Sequence, residues 1–413
     1  MRLIFYTLCV ALLFACNSKN DAKLPADTPN EPLPYPVYAK PEVNLPYNSR
    51  ILSKFKRVKK PYLEAFYKDY WQANKVSGGL LVAKNGEIIY EKYLGFSDKE
   101  KNKALNKDTP IHLASISKVL TAVALLRLVQ EDKLKLDQFV SNVLPAFPYK
   151  DVTIRDLLTH RSGLQNYAYF KPHKRFWREE KMKSNHDVLE YLANGLSKAY
   201  NQPNKNFSYC NTNYALLALI IEKVTGERYP VVMQKMVFEP FGMNHTFVFD
   251  YKNPREVSKS YTFKGQLWSE SDLDAIYGDK NIYSTPRDIL QLDRAMYADN
   301  FLTPELKTLM KQGYSNERKG VKNYGLGIRM MQWDSGEKLL YHNGWWHGNY
   351  TTYVRGEQDT LTIIALGNQR NRSVYSAFSL AGVLGKYPVS LEKVKNANLL
   401  NESQKDSLTL QPE

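Results

Sequence analysis

The sequence predicts an α+β fold, an α/β sandwich in which an antiparallel sheet is flanked by helices and joined to a mostly helical subdomain. Three observations carry this. Asn85-Gly86 separates two strand-like runs, residues 79–83 and 87–94, and Asn-Gly between apolar runs is a strong hairpin signal. Four more strand-like runs crowd residues 324–366 with only short turns between them, the mark of an antiparallel sheet. The stretch between, residues 152–226, carries helical periodicity instead. With 413 residues, 43% of them hydrophobic, the chain can bury a full core and more than one subdomain.

Taken in order, residues 1–15 read as a signal peptide: Arg2 is followed by a short apolar run from Leu3 to Phe14, too short to span a bilayer. Leu13-Phe14-Ala15-Cys16 resembles a bacterial lipobox, which implies that Cys16 is the lipidated first residue of the mature protein, although Phe14 is bulkier than usual there. Several acyl chains on one residue anchor a soluble domain firmly, at about 0.8 kcal/mol per buried methylene. Prolines 25, 29, 32, 34, 36, 41 and 46 follow, so residues 16–50 are expected to form a semi-extended tether.

The body is expected over residues 51–390. Residues 51–71, aromatic and charged at helical spacing, predict the first helix. After the 79–94 hairpin, Pro110 leads into a helix that starts at Ser115 and stays apolar through Val129. Residues 152–164 predict a short helix ending at Gly163, and 167–200 are helical or irregular. Tyr214, Leu217, Ala218, Ile221 and Val224 share one helix face, with Gly226 where a cap belongs. Residues 324–333, 338–341, 349–354 and 360–366 are the late strands, and 374–384 a closing helix. Early and late strands are expected to share one sheet, bringing both ends of the body together. Residues 391–413 form a polar C-terminal tail.

Three motifs carry chemistry. Ser115-Ile116-Ser117-Lys118 places an amine one helical turn from a hydroxyl, so one rigid element supplies a nucleophile and its base. Tyr209-Cys210-Asn211, if extended, points Tyr209 and Asn211 to one side and Cys210 into the core. His342-Asn343-Gly344 ends a strand ahead of a turn containing Gly348. Singly each motif has a bland reading: a helix cap, a core tyrosine, a structural histidine. His160 and Ser162 have catalytic residue types, yet a turn ending at Gly163 needs polar partners, and they are read as structural. His347 is either cleft-lining or packed among its aromatic neighbours.

Read together, S-x-x-K, Y-x-N and H-x-G in this order resemble the serine β-lactamase and penicillin-binding-protein superfamily, closest to the class C β-lactamase-related branch with its D-Ala-D-Ala carboxypeptidase, D-aminopeptidase and esterase relatives. The segments LLTHRSGL (157–164), PFGM (240–243) and IYSTPRD (282–288) extend the likeness over roughly residues 60–385. The resemblance implies a β-lactamase/transpeptidase-like fold and a serine hydrolase that forms an acyl-enzyme on Ser115. Lys118 is then the base, which requires it to be neutral, and Tyr209 relays protons. Asn211, His342 and Gly344 bind substrate, and the backbone N–H groups of Ser115 and Trp345 form the oxyanion hole. His342 stands where the sister pattern K-T-G has a charged lysine, which weakens the case for β-lactam hydrolysis and favours peptide, amide or ester substrates of the D-amino-acid type.

Other classes are poorly served. The basic residues, formal net charge +15, are scattered rather than clustered with aromatic spacing, so no nucleic-acid partner is expected. There is no H-E-x-x-H, C-x-x-C, G-x-S-x-G or glycine-rich phosphate loop, and neither metal nor cofactor is expected. The single cysteine of the body, Cys210, reads as a buried small hydrophobe. The expected partners are a small peptide, amide or ester, cell-wall peptide among them, and a membrane through the lipid; the expected location is the bacterial cell envelope. A non-catalytic binding or regulatory protein that kept the fold is the alternative, and intact Ser115, Lys118 and Tyr209 argue against it.

Overall fold

The computed structural model describes residues 38–251, 253–317 and 319–390. The expected signal peptide, Cys16, most of the tether and the polar tail lie outside the described residues.

Helix α1 (Ser49–Phe66) starts at Asn48, whose side chain accepts the Ile51 N–H at 3.0 Å, and runs on into a π turn, Tyr67–Gln72. Strands β1 (Gly78–Lys84) and β2 (Glu87–Leu94) form the foreseen hairpin; Asn85 and Gly86 both have positive φ, 52° and 73°, as a type I′ turn demands. A small ribbon follows, β3 (Phe96–Asp98) with β4 (Lys103–Ala104). Strand β5 (Ile111–His112) leads through a 3-10 turn, Ala114–Ile116, into the nearly wholly buried α2 (Ser117–Gln130).

The helical body comprises α3 (Val140–Val143), α4 (Ile154–Leu158), α5 (Asn185–Ala193), α6 (Asn211–Thr225), α7 (Tyr229–Met233) and α8 (Glu239–Phe241). Capping boxes open two of these, Thr153 with Asp156 and Ser184 with Asp187, and Gly226 at φ 71° closes α6. Strands β6 (Phe247–Val248) and β7 (Ile282–Ser284) join β5 in a three-stranded sheet, order β5-β7-β6. Helices α9 (Pro286–Ala295) and α10 (Pro304–Met310) precede the late strands β8 (Lys322–Tyr324), β9 (Arg329–Gln332), β10 (Lys338–Trp346), β11 (Asn349–Gly356) and β12 (Leu361–Gly367). A 3-10 segment, Arg372–Ser379, and α11 (Leu380–Leu384) close the body.

The fold is α+β as predicted, with a seven-stranded antiparallel sheet in the order β2-β1-β12-β11-β10-β9-β8. The early hairpin joins the late strands through β1 on β12, so both ends of the body meet in one sheet. Side chains alternate between two cores. Leu81, Leu340, Ile364 and Leu366 face α2 and α6, while Leu80, Val82, Leu339 and Ile363 face α1 and α11.

Several local expectations are corrected. Residues 324–333 are not one strand: β8 and β9 are separated by a tight turn in which Gly325 N–H donates to Ile328 O at 2.8 Å. Gly327, at φ 83°, lets that turn lie on α2, because a Cβ there would meet Ala122 Cβ at 2.3 Å. The strand expected to stop at Tyr341 runs on to Trp346, so His342-Asn343-Gly344 lies within β10 and not at its end. The helix expected over 152–164 ends at Leu158. Residues 372–379 are 3-10 rather than α.

Candidate active site

Ser115 sits in the 3-10 turn that precedes α2 rather than in the first α-helical turn. Ala114 before it is left-handed, φ 49°, a conformation that persists only where surroundings impose it. Two contacts impose it. The Ala114 N–H donates to His112 Nδ1 at 3.0 Å, and Thr351 Oγ1 donates to Leu113 O at 2.7 Å. Burial pushes His112 down to about 3, so its ring stays neutral and free to accept. Ser115 remains partly exposed while Ala114, Ile116 and Ser117 are buried.

Lys118, one turn on, is wholly buried, and its Nζ lies 3.1 Å from Ser115 Oγ. The same Nζ donates to the backbone carbonyl of Asp279 at 2.9 Å. Tyr209 joins them through its ring, whose centroid is 5.0 Å from Lys118 Nζ. It arrives there because Cys210 is extended, φ −143° and ψ 118°, immediately before α6. Cys210 itself is buried, its thiol pushed up to about 11 by burial, with no nucleophile's character. Asn211 opens α6; its Oδ1 is buried and has no hydrogen-bond partner among the described residues.

His160, read as structural, positions Tyr209. Its Nδ1 accepts the Cys210 N–H at 3.1 Å and its ring lies 4.2 Å from the Tyr209 ring. Ser162 Oγ donates to Asn213 Oδ1 at 2.7 Å, tying the loop to α6. His347 bonds the Asp274 carboxylate through Nε2 at 2.8 Å, next to Trp268.

The structure corrects one expected contact with substrate. His342 has zero exposure and does not present its ring to the cleft. Its Nδ1–H donates to Asn343 O at 2.8 Å, since a carbonyl only accepts, and its Nε2 therefore accepts from Tyr324 Oη at 3.3 Å. Burial, with Arg329 and Lys118 nearby, holds it well below the ordinary histidine range, so it is neutral. Gly344 has a packing role, since the turn that carries Ser115 fills the space it leaves. A Cβ there would lie 2.5 Å from Leu113 O and 3.0 Å from Ala114 Cβ. The glycine lets the turn that carries Ser115 pack directly on β10 through Leu113 and Ala114. Strand β9 leaves β10 at Tyr341, while β10 continues five residues further along this edge.

Arg329, Tyr167, Asp279 and Lys280 were not singled out in the sequence. Arg329 lies over the Tyr209 ring at 4.7 Å and lines, with Tyr209, Tyr324 and Tyr341, a cleft of about 850 Å³. None of them carries a local motif, and only the fold assembles them.

The chain is 29% identical over 337 residues to penicillin-binding protein 4* of Bacillus subtilis, covering 78% of this chain and 74% of that one. It is 27% identical over 271 residues to the teichoic acid D-alanine hydrolase of Staphylococcus aureus, 63% of this chain and 62% of that one, so it spans less than two thirds of that relative. Among solved structures it resembles a penicillin binding protein from Bacillus halodurans, with TM-score 0.68, 24% identity, and coverage of 78% and 98%. It also resembles the D-amino acid amidase of Ochrobactrum anthropi, with TM-score 0.64, 20% identity, and coverage of 84% and 99%. Residues 63–380 match the Beta-lactamase family model, and the chain belongs to that family of serine hydrolases.

Proposed function

We propose that the protein is an envelope-anchored hydrolase that passes an acyl group through Ser115 on D-amino-acid peptides, amides or esters, with weak or no β-lactamase activity. The 3.1 Å contact between Lys118 Nζ and Ser115 Oγ carries this reading. Lys118 takes the Ser115 proton as Oγ adds to the substrate carbonyl. The tetrahedral oxyanion sits between the backbone N–H groups of Ser115 and Trp345. Tyr209 gives its proton to the departing amine or alcohol and takes back the one Lys118 carries; water then adds to the ester, and its proton passes to Ser115 Oγ as the acid departs. Asn211 Oδ1, buried without a partner, takes a substrate amide N–H. Arg329 supplies the positive charge for a substrate carboxylate that the neutral, buried His342 does not.

Two of the similar proteins are named for D-amino-acid derivatives, as a teichoic acid D-alanine hydrolase and a D-amino acid amidase, which supports the same class here. The lipobox-like Cys16 supports anchoring in the envelope. Incubation of the full chain with a fluorophosphonate probe or a fluorescent penicillin, followed by mass spectrometry, should find the adduct on Ser115. Labelling that survives Ser115→Ala would remove the serine from the mechanism. D-alanine anilide should be cleaved in preference to its L-isomer, and mass spectrometry of the membrane fraction should find acyl chains on Cys16.

A further inference from the structure

A buried ion pair lies directly behind the Lys118 amine. Asp279 and Lys280 are 1% and 2% exposed, and Asp279 Oδ1 is 3.7 Å from Lys280 Nζ. The Tyr167 hydroxyl bridges them: it accepts from Lys280 Nζ at 2.6 Å and donates to Asp279 Oδ2 at 2.7 Å. Burial holds the Tyr167 phenol well above its ordinary range, so its proton stays available to Asp279. Lys280 Nζ also lies 4.7 Å over the Trp346 ring, at the end of the β10 edge, and the Tyr167 N–H donates to Thr212 Oγ1 at 2.7 Å, next to Asn211. The cluster therefore touches α2, α6 and β10 at once.

Its backbone is constrained as well. Gly278 has φ 93° and Asn281 φ 71°, both left-handed, on either side of the carbonyl that accepts from Lys118. A Cβ on Gly278 would meet Tyr214 O at 2.3 Å, and Gly278 O itself accepts from Thr121 Oγ1 at 2.7 Å. Gly278 takes this region freely, whereas Asn281 keeps it only where its surroundings fix it. The Asp279 carbonyl holds one N–H of the Lys118 amine and so constrains how the group is turned toward Ser115.

We propose that Asp279, Tyr167 and Lys280 form a positioning unit for acylation, which fixes the Asp279 carbonyl and through it aims the Lys118 amine at Ser115. This rests on the reading above in which Lys118 takes the Ser115 proton. The three residues touch no reacting atom with their side chains; they act through a main-chain oxygen.

The test uses the full chain and the rate at which a fluorophosphonate labels Ser115 across probe concentration, which separates a half-saturation concentration from a limiting rate. Tyr167→Phe removes the bridging oxygen. The double variant Asp279→Asn with Lys280→Met removes both charges together, so no unpaired buried charge is left. The expected result is a limiting rate about 10- to 100-fold lower, the scale of a misplacement near 1 Å, with half-saturation changed by less than about twofold. A limiting rate within about twofold of the unaltered protein in the folded double variant would overturn the proposal. Failure of both variants to fold would overturn it too, assigning the cluster to stability alone. If the unaltered protein is not labelled at Ser115 at all, the acyl-enzyme reading fails, and that result is distinct from an unaffected variant.

Discussion

Gly344 and Ala114 are in contact across the site: a Cβ built on Gly344 would stand 3.0 Å from Ala114 Cβ and 2.2 Å from Thr351 Oγ1. The glycine of the H-x-G motif thus seats the strained turn that carries the nucleophile. Gly344→Ala should displace that turn, with an overpacking cost of about 1–3 kcal/mol. Thermal melting should fall and Ser115 labelling should fall further than melting accounts for. An alanine variant that labels at the unaltered rate would show that the turn does not depend on this contact.

Stability should decline on the acid side because buried histidines stay neutral. His112 is pushed down to about 3, and His160 and His342 lie well below their ordinary value, burial being the main cause in each. The unfolded chain takes up these protons below about pH 6.5 while the folded chain does not. Stability is thus complete above that pH and lost as pH falls toward the folded values, at about 1.4 kcal/mol per unit for each such histidine. Denaturant unfolding between pH 7 and pH 5 measures this slope. His342→Gln keeps a hydrogen-bonding group and should flatten it by one residue's share.

Parts of this site are legible in the sequence because their geometry is local. A lysine three residues after a serine reaches it on any helical turn, and Lys118 Nζ does lie 3.1 Å from Ser115 Oγ. Asn85-Gly86 dictates its own turn, and period two set Cys210 inward from Tyr209. What escaped is long-range. Tyr167 meets Lys280 across 113 positions, and no pattern near either residue announces it. The alternation of β10 sets which face His342 takes but not that Tyr324 would cover its ring. Asparagine and glycine are rare in strands, so Asn343 and Gly344 read as a strand end when they lie inside one.

Tyr209→Phe keeps the ring against His160 and Lys118 and removes only the hydroxyl. Melting should be unchanged, while turnover of a nitrophenyl ester should drop by about 10²–10⁴, the usual contribution of a positioned proton donor. The amide substrate should suffer more than the ester, because an amine leaving group needs its proton earlier. Equal loss on both would place the phenol outside leaving-group protonation.

The site's sheet is braced by a second buried pair, Arg355 on β11 and Asp293 on α9, which are 1% and 0% exposed in their side chains and 2.8 Å apart. Asp293 also accepts from Tyr353 Oη and Thr362 Oγ1, both at 2.6 Å, so one carboxylate links α9 to β11 and β12. The Arg355 guanidinium stacks 3.6 Å from the Tyr297 ring centroid. Arg355→Met leaves that carboxylate buried beside two hydroxyls without its cation, and should cost about 3–5 kcal/mol. Asp293→Asn with Arg355→Met removes both charges and should recover much of the loss, measured by denaturant unfolding. Neither residue contacts Ser115 or Lys118, so the double variant should retain Ser115 labelling below its melting temperature. A single Arg355→Met variant as stable as the unaltered chain would mean that Asp293 needs no cation there, and that its hydroxyl donors alone hold α9 on the sheet.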